Sequence, residues 1–416
     1  MVARRLEKVV YDAVKDNIVL KNYLKWVYQR IGSAMSDSTV DTHLQLVKRP
    51  GTFFGFHDKS PWSPSGEFLL GHGIQGSDVG DGWRRGEPVM VMVFDGPDWT
   101  DAIRVGETTA WNWQQGAQLQ WVGDGDHVIY NDFSEGACRA VVHNLSTHRD
   151  TTLQYPVAAV SPDGTWIATV CFKTLGQAMD GYGYAFQETG AASNMPPATL
   201  LVQRRSGDDS NTLRIELDDL QTDLAPSADD GTDFFSHCLF SPDGSRLLFL
   251  RRQALPNRRL QSELFCVSLQ DRSLRRVGFD DMVSHFSWVG SDQVVAFANT
   301  KRGGDGFYLV DLETDNIADW SERLNRRDGH PHATPDGATV VFDTYPDARR
   351  HQRLFLWNDG DEEAQQIARI PSPMKYWDTD RVDLHPRIRR DGAYLAFDAG
   401  YNGVRSLVTA RLPHRS

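Results

Sequence analysis

A short turn sequence that recurs along the chain constrains its fold more than any other feature. Serine or threonine, then proline, then aspartate or serine, then glycine appear in this order four times, and three looser copies bring the total to seven. Proline at the second position and glycine at the fourth are preferred by a type I β-turn, and the flanking apolar runs have the length of short strands. The seven turns end at Gly66, Gly125, Gly164, Gly244, Asp292, Gly337 and Gly392.

The spacing of these turns predicts a β-propeller. Successive turns are 59, 39, 80, 48, 45 and 55 residues apart, and a propeller blade typically takes ~40–50 residues. We expect insertions within residues 172–235 to account for the longest interval. Residues 43–48 alternate in polarity and are expected to form an outer strand that closes the ring onto the last blade. The chain is therefore predicted to be all-β, with one seven-bladed β-propeller over residues 43–416.

The first 31 residues differ from the rest of the chain. They contain seven basic and three acidic residues, whereas the whole chain has a net charge of −12. Their apolar residues are mostly at helical spacing, which predicts a basic amphipathic helix over residues 1–31 followed by a linker over residues 32–42. Such a helix either lies on an anionic membrane surface, or packs on the outside of the propeller or against a second copy.

The acidic balance also limits the partners and the compartment. A nucleic-acid-binding protein normally has a basic face, so we expect none here, whereas a local basic patch can still bind an acidic glycan. Charged residues interrupt the apolar run that a secretory signal needs, and no run reaches the roughly 20 apolar residues of a transmembrane helix. We therefore expect a cytoplasmic protein, associated with a membrane if the basic helix binds one.

Four histidines occupy one position of the repeat. Because 13 of the 416 residues are histidine, seven random positions would hold fewer than one on average. The strand before each turn is expected to be the innermost of its blade, so its first residues should line one mouth of the central channel, with His57 nearby. The positions seven residues before the turn ends are Lys59, Gln118, Val157, His237, His285, His330 and His385.

A second polar row lies six residues after the turns. Because the second strand of each blade runs antiparallel to the first, the end of that strand returns to the same mouth. The row includes His72, Asn131, Asp343 and Asp398. Arg252 follows the row by two residues in blade 4, and Gln115 lies three residues before Gln118 of the first row. The two rows indicate either a binding site or a buried network that ties the strands together.

Converging imidazoles suit a divalent transition metal, and a histidine without metal is a ready acid or base near neutral pH. In the run His330-Pro-His332 the two rings would share one side of a strand. Arginines beside them would hold a carboxylate, and Trp113 could stack on a sugar ring.

Three runs resemble the oligogalacturonate lyases. They are His237 before the Ser-Pro-Asp-Gly turn, Met-Val-Ser-His285-Phe-Ser-Trp, and His330-Pro-His332 before Thr-Pro-Asp-Gly. That family consists of seven-bladed propellers that bind a manganese-type metal and cleave uronic-acid oligosaccharides by β-elimination. The resemblance implies that His285, His330 and His332 are metal ligands and that His237 faces the substrate or acts in catalysis. The family's glutamine three residues before the His-Pro-His run is Arg327 here.

Other runs, namely 54–62, 111–115 and 383–387, resemble uncharacterised propellers associated with bacterial surface-polysaccharide synthesis. The candidate substrate-binding residues are His57, Trp113, Gln115, Asn131, Asp343 and Arg387.

These observations predict an enzyme that cleaves an acidic glycan, most simply a lyase. Arg252 or a metal would neutralise the uronate, His237 would act as the base, and His385 or Tyr345 would act as the acid. A glycoside hydrolase using Asp343 and Asp398 is one alternative. A non-catalytic protein that binds or assembles glycans is the other.

Overall fold

The structure, a computed structural model, describes residues 18–34, 36–74, 84–207, 211–224, 231–256 and 259–413. Within these ranges seven antiparallel sheets follow one another along the chain, six with four strands and one with five. The predicted seven-bladed β-propeller is therefore confirmed.

The chain enters with two strands, β1 (Asp41–Thr42) and β2 (Leu46–Pro50), that join the last two blades. Blade 1 contains β3–β6: Thr52–Phe53, Leu69–Gly73, Val89–Asp95 and Asp101–Thr108. Blade 2 contains β7–β10: Gln120–Val122, His127–Ser134, Ala137–Asn144 and Arg149–Thr152. Blade 3 contains β11–β14: Ala159–Val160, Trp166–Thr169, Thr199–Arg204 and Leu213–Glu216.

The remaining strands form the second half of the ring. Blade 4 contains β15–β18: Thr232–Phe240, Arg246–Ala254, Leu260–Ser268 and Leu274–Arg276. Blade 5 contains β19–β22: Val283–Val289, Gln293–Thr300, Gly304–Asp311 and Ile317–Asp319. Blade 6 contains β23–β26 with β1 outside them: His332–Ala333, Thr339–Asp343, His351–Asn358 and Gln365–Pro371. Blade 7 contains β27–β29 with β2 outside them: Arg387–Ile388, Tyr394–Ala399 and Ser406–Arg411.

Each recurrent turn joins the two innermost strands of a blade, as its sequence requires. In blade 4, Gly244 N donates to Ser241 O (2.8 Å), which closes the turn. The Ser241 hydroxyl donates to Asp243 Oδ1 (2.5 Å) and accepts from Arg246 N (3.0 Å). Gly244 has a φ of 74°, in the left-handed region that glycine adopts without a Cβ clash. The serine, aspartate and glycine of the repeat are therefore explained by the turn itself.

Strand β2 closes the ring. It pairs antiparallel with β29 from Leu46 opposite Ala410 to Pro50 opposite Ser406. The predicted closing strand is thus present, although it lies at 46–50 and not at 43–48. The predicted insertion is also present, because the helices α2 (Phe172–Ala178) and α3 (Phe186–Thr189) lie between β12 and β13 of blade 3.

The N-terminal helix α1 spans Ile18–Ala34, so it ends three residues later than the sequence predicted, and residues 1–17 lie outside the described ranges. It packs on blade 6, where Gln29 Nε2 donates to Pro346 O (2.9 Å). None of the described helices is long and apolar enough to cross a bilayer.

The second polar row ties each of four blades to the next one. Its side chains are buried and hydrogen-bond to the backbone at the start of the following blade. The bonds run from Ala117 N to His72 Nε2 (3.1 Å), Val157 N to Asn131 Oδ1 (2.7 Å), His385 N to Asp343 Oδ2 (3.0 Å) and Phe54 N to Asp398 Oδ1 (2.9 Å). Of the two readings of this row, the structure shows the buried network.

Replacing Asn131 by Asp tests this network. Asn131 Nδ2 donates to Val157 O (2.8 Å) and to the Tyr184 hydroxyl (2.7 Å), and a carboxylate of the same shape has no such donor. We expect Asn131→Asp to lower the free energy of unfolding by about 3 kcal/mol or more, because it leaves buried groups unpaired beside a charge. Urea unfolding measures the change. The control Asn402→Asp, at an exposed left-handed position that Asp tolerates, should change little.

The buried His72 makes stability depend on pH. Burial lowers the pKa of His72 from 6.5 to about 4. Between these pH values His72 is therefore protonated in the unfolded chain and neutral in the folded chain. As a result, the free energy of unfolding falls as the pH drops from 6.5 to 4, by at most about 3 kcal/mol. His72→Gln keeps an acceptor for Ala117 N but does not titrate. Urea unfolding at both pH values should show a smaller loss for this variant, and an equal loss would contradict the assignment.

Candidate functional site

Five histidines surround Phe56 at the mouth of the channel where the inner strands begin. The ring centroids of His285 and His330 are 4.2 Å apart, and those of His330 and His385 are 4.3 Å apart. The Phe56 ring lies between 4.5 and 6.2 Å from the five imidazoles, which are those of His57, His237, His285, His330 and His385. The structure thus brings together the four histidines of the repeat and His57.

The backbone bends where two of these side chains enter the cluster. His237 and His385 have φ values of 54° and 44°, in the left-handed region that bulky residues seldom adopt. At His237 the pairing of β15 with β16 shifts register between Ser236 and Leu239. Such a bulge re-aims a side chain out of the regular alternation of a strand. Both histidines thus hold a sparsely populated backbone conformation where they enter the cluster.

Each imidazole is anchored through its Nδ1 atom on an oxygen. His57 Nδ1 lies 2.7 Å from Pro331 O, and His385 Nδ1 lies 2.9 Å from Gly55 O. Carbonyl oxygens only accept, so these two rings carry the proton on Nδ1 and a lone pair on Nε2. The other three contacts are His237 Nδ1 to Ser236 Oγ (2.9 Å), His285 Nδ1 to Asp328 Oδ1 (3.2 Å) and His330 Nδ1 to Asp343 Oδ1 (2.8 Å).

This pattern is typical of rings prepared to ligate through Nε2, because a ligating histidine normally donates its other N–H to an oxygen. Among the described residues, the Nε2 atoms of His237 and His385 are buried and have no hydrogen-bond partner. A buried polar atom without a partner costs free energy unless a ligand satisfies it. Both atoms are therefore available to accept a hydrogen bond or to coordinate a ligand.

Asp343 fixes the relative position of His330 and His385. Its carboxylate accepts from the backbone N of His330 (2.8 Å) and of His385 (3.0 Å) as well as from His330 Nδ1. It is fully buried. One carboxylate thus orients two neighbouring rings from blades 6 and 7.

His330, His385 and Asp383 form a group that could hold a metal ion. Within the described ranges this is the one group of three whose ligand atoms all lie within 4.8 Å of one another. Arg381 Nε donates to Asp383 Oδ2 (2.7 Å), which orients the carboxylate. Asp383 was not predicted as a site residue. The signal that could have found it is an Asp-x-His spacing at two of the repeated histidines, in Asp328-Gly-His330 and in Asp383-Leu-His385.

The electrostatic environment separates His330 from the other rings. Burial lowers the pKa of His57, His237 and His385 well below 6.5, and neighbouring cations add to the effect. Burial alone would also lower the pKa of His330, but the ion pair with Asp343 outweighs it and raises this pKa above 6.5. Three rings are consequently neutral at physiological pH.

Tyr345 connects the cluster to a neighbouring cavity. Its hydroxyl lies 3.4 Å from His330 Nε2, and burial, followed by nearby carboxylates, raises the pKa of this hydroxyl well above 10. The cavity has a volume of about 210 Å³ and is lined by Tyr345, Arg381 and Asp383, and by Lys25 and Gln29 of helix α1.

His332 does not join the cluster. Its Nδ1 accepts from Ile388 N (3.3 Å), and it lines a separate channel cavity of about 280 Å³ near the turns, with Trp62 and Pro335. The expectation that His330 and His332 share one side of a strand is not met, because β23 begins only at His332. Burial, and next Arg387, lower the pKa of His332 to about 3.

Several predicted substrate-binding residues are occupied by the protein itself. Asn131 and Asp343 belong to the inter-blade network described above. Arg387 is fully buried, stacks on Phe54 and donates to Asp398 Oδ2 (2.9 Å) and to Gly55 O. The hydrogen bonds of these three side chains are therefore made within the protein, except at Arg387 Nη1, which has no partner among the described residues.

Trp113 packs against Trp111 and under the guanidinium of Arg405, which lies 4.0 Å from its ring. Gln115 has a buried Oε1 without a partner among the described residues, which keeps it available to a ligand. Arg252 is buried next to the cluster, with Nη2 donating to Ser284 O (3.0 Å) and Nε without a partner in the described ranges.

Fold and cluster together define a seven-bladed propeller with a histidine site at one channel mouth. No family model and no curated protein matches the chain.

Solved structures do share its fold. An oligogalacturonate lyase in complex with manganese is 16% identical, covers 91% of this chain and 99% of its own, and superimposes with a TM-score of 0.60. The oligogalacturonate lyase of Vibrio parahaemolyticus is 14% identical with the same coverage and a TM-score of 0.57. The propeller domain of a trilobed protease from Pyrococcus furiosus is 11% identical, covers 86% of this chain and 96% of its own, and has a TM-score of 0.50. The predicted likeness to oligogalacturonate lyases is thus confirmed for the fold.

Proposed function

We propose that the protein is a lyase that cleaves an acidic, uronic-acid-containing oligosaccharide or polysaccharide at the histidine cluster. The observation that carries the proposal is the set of five buried imidazoles, anchored through Nδ1, that converge around Phe56 beside a buried arginine. The fold shared with two oligogalacturonate lyases supports the same reaction class.

β-Elimination moves one proton off the sugar and one onto the leaving group. A base takes the proton from the carbon next to the carboxylate, the bond from the neighbouring carbon to the glycosidic oxygen breaks, and a carbon–carbon double bond forms. His237 suits the base, because its lowered pKa keeps it neutral and its buried Nε2 has no partner among the described residues.

Two other side chains complete the scheme. Tyr345 suits the acid that protonates the leaving oxygen, because its raised pKa keeps the hydroxyl protonated. His385, the other candidate acid, carries its proton on Nδ1 toward Gly55 O, so its Nε2 suits an acceptor role better. Arg252 supplies a buried positive charge for the substrate carboxylate.

His330, Asp383 and His385 fit a divalent metal such as manganese. Two imidazoles and a carboxylate are a suitable set of ligands for such an ion. The Nε2 atom of His385 is buried and has no hydrogen-bond partner among the described residues. The Nδ1 atoms of both rings contact oxygens of Asp343 and Gly55, which orient the rings. When bound, such an ion neutralises the uronate carboxylate and so acidifies the neighbouring proton.

The two carboxylates that a hydrolase would need, those of Asp343 and Asp398, are hydrogen-bonded within the protein. Asp343 is bound by His330 and His385, and Asp398 accepts from Phe54 N, Gly55 N and Arg387. Neither carboxylate is placed to contact a sugar.

Metal binding distinguishes the two candidate ligand sets. We expect the metal-stripped protein to bind about one Mn²⁺ per chain, and Asp383→Asn and His385→Ala each to weaken binding about tenfold or more. The control variant His332→Ala changes a histidine that lines the other cavity, and this variant should bind Mn²⁺ normally. Isothermal titration calorimetry measures the constants. Normal binding by Asp383→Asn with loss in His332→Ala would favour the ligands that the sequence resemblance implied.

Turnover tests the reaction. We expect oligogalacturonides or other uronic-acid oligosaccharides to yield a product whose new double bond, conjugated with the carboxylate, absorbs in the ultraviolet. His237→Ala and Tyr345→Phe should lower kcat by roughly 10²–10⁴-fold, the usual contribution of acid–base groups. The control variant Tyr394→Phe changes a tyrosine of blade 7 that packs against Trp99, and it should retain activity. New reducing ends without the absorbance would indicate a hydrolase, and binding without turnover would indicate a glycan-binding protein.

A further inference from the structure

Helix α1 carries most of the large apolar side chains that the described structure exposes. These are Tyr23 (61% exposed), Tyr28 (47%) and Ile31 (61%), and the fourth, Ile103 (48%), lies on β6 of blade 1. We call Tyr23, Tyr28 and Ile31 the docking face. Their spacing places them on one side of the helix at 3.6 residues per turn. Clustered apolar side chains of this kind mark an interaction surface.

The opposite side of the helix is fixed to the propeller. Arg350 Nη1 donates to Gln29 Oε1 (3.0 Å), and Gln29 donates in turn to Pro346 O. Gly32 packs so closely that a Cβ atom there would lie 2.0 Å from Ala348 O. The helix is therefore held in one orientation that keeps the docking face outward.

The positive charge of helix α1 favours an anionic partner. Ile18–Ala34 contains three basic residues and no acidic one, on a chain whose net charge is −12. Arg30 lies with its guanidinium 5.1 Å from the ring of Trp26, on the flank of the docking face. A second copy in a twofold dimer would bring two basic helices together, which repel each other. An anionic lipid surface attracts the helix and accepts its apolar side chains.

We propose that the docking face binds the surface of an anionic phospholipid bilayer, with helix α1 lying in the plane of the interface. This inference is independent of the proposed lyase activity. It has a consequence for the site, because Lys25 and Gln29 of the same helix line the cavity that Tyr345 and Asp383 border. Docking therefore holds this cavity within about one helix diameter of the lipid head groups.

Sedimentation of the full-length protein with vesicles tests the proposal. Vesicles of equal parts phosphatidylglycerol and phosphatidylcholine should bind the protein, vesicles of phosphatidylcholine alone should bind it much less, and added NaCl should weaken binding. The double variant Tyr23→Ser, Ile31→Ser should bind the anionic vesicles about tenfold less tightly or worse. Arg30→Glu, an exposed single change, should show a loss in the same direction. The matched control Ile103→Ser removes an equally exposed apolar residue elsewhere and should bind normally.

Other outcomes overturn the proposal. These are no binding to anionic vesicles, equal binding to both vesicle types, or equal loss in Ile103→Ser and the double variant. A wild-type dimer that the double variant converts to monomers, without vesicle binding, would assign the face to a second copy instead. Lyase turnover in solution is a separate readout, so failure of either proposal leaves the other standing.

Discussion

Closure of the ring is the constraint on which the rest of the structure depends. When seven sheets close on one axis, residues at the same position of each blade must lie on a common circle around the channel. The pairing of Leu46–Pro50 with Ser406–Arg411 completes that circle, since the outermost strand of the last blade comes from the start of the chain. Histidines that recur at one position of the repeat therefore form a cluster in the folded chain. Inter-blade bonds such as that of Asn131 to Val157 hold the blades in register.

Burial of five imidazoles is tolerated because most of them are neutral and each has an oxygen partner at Nδ1. The cost of burying a polar group is met at Nδ1 of each ring, whereas Nε2 of His237 and of His385 has no partner among the described residues. His330 is the exception, since the buried carboxylate of Asp343 raises its pKa. The same carboxylate accepts a hydrogen bond from the backbone N of His385, so it links the positions of the two rings. A site built in this way is ordered before a ligand arrives.

The sequence predicted the fold and the histidine mouth because both follow from the period of the repeat. It could not separate a ligand-facing side chain from one that binds the next blade, since both occur as a polar residue at a strand end. Asn131 and Asp343 were taken for binding residues for this reason. His332 was placed beside His330 by the alternation of a strand, but the strand starts later. Asp383 lies two residues before the repeated histidine position, so the repeat did not draw attention to it.

Anomalous diffraction from crystals soaked in manganese tests whether ring closure assembles a metal-binding histidine site at one mouth of the channel. We expect a single strong anomalous peak at coordinating distance from His330 Nε2, His385 Nε2 and an Asp383 oxygen. A peak at His332 in the cavity near the turns, or well-diffracting crystals with no peak near the cluster, would contradict this expectation.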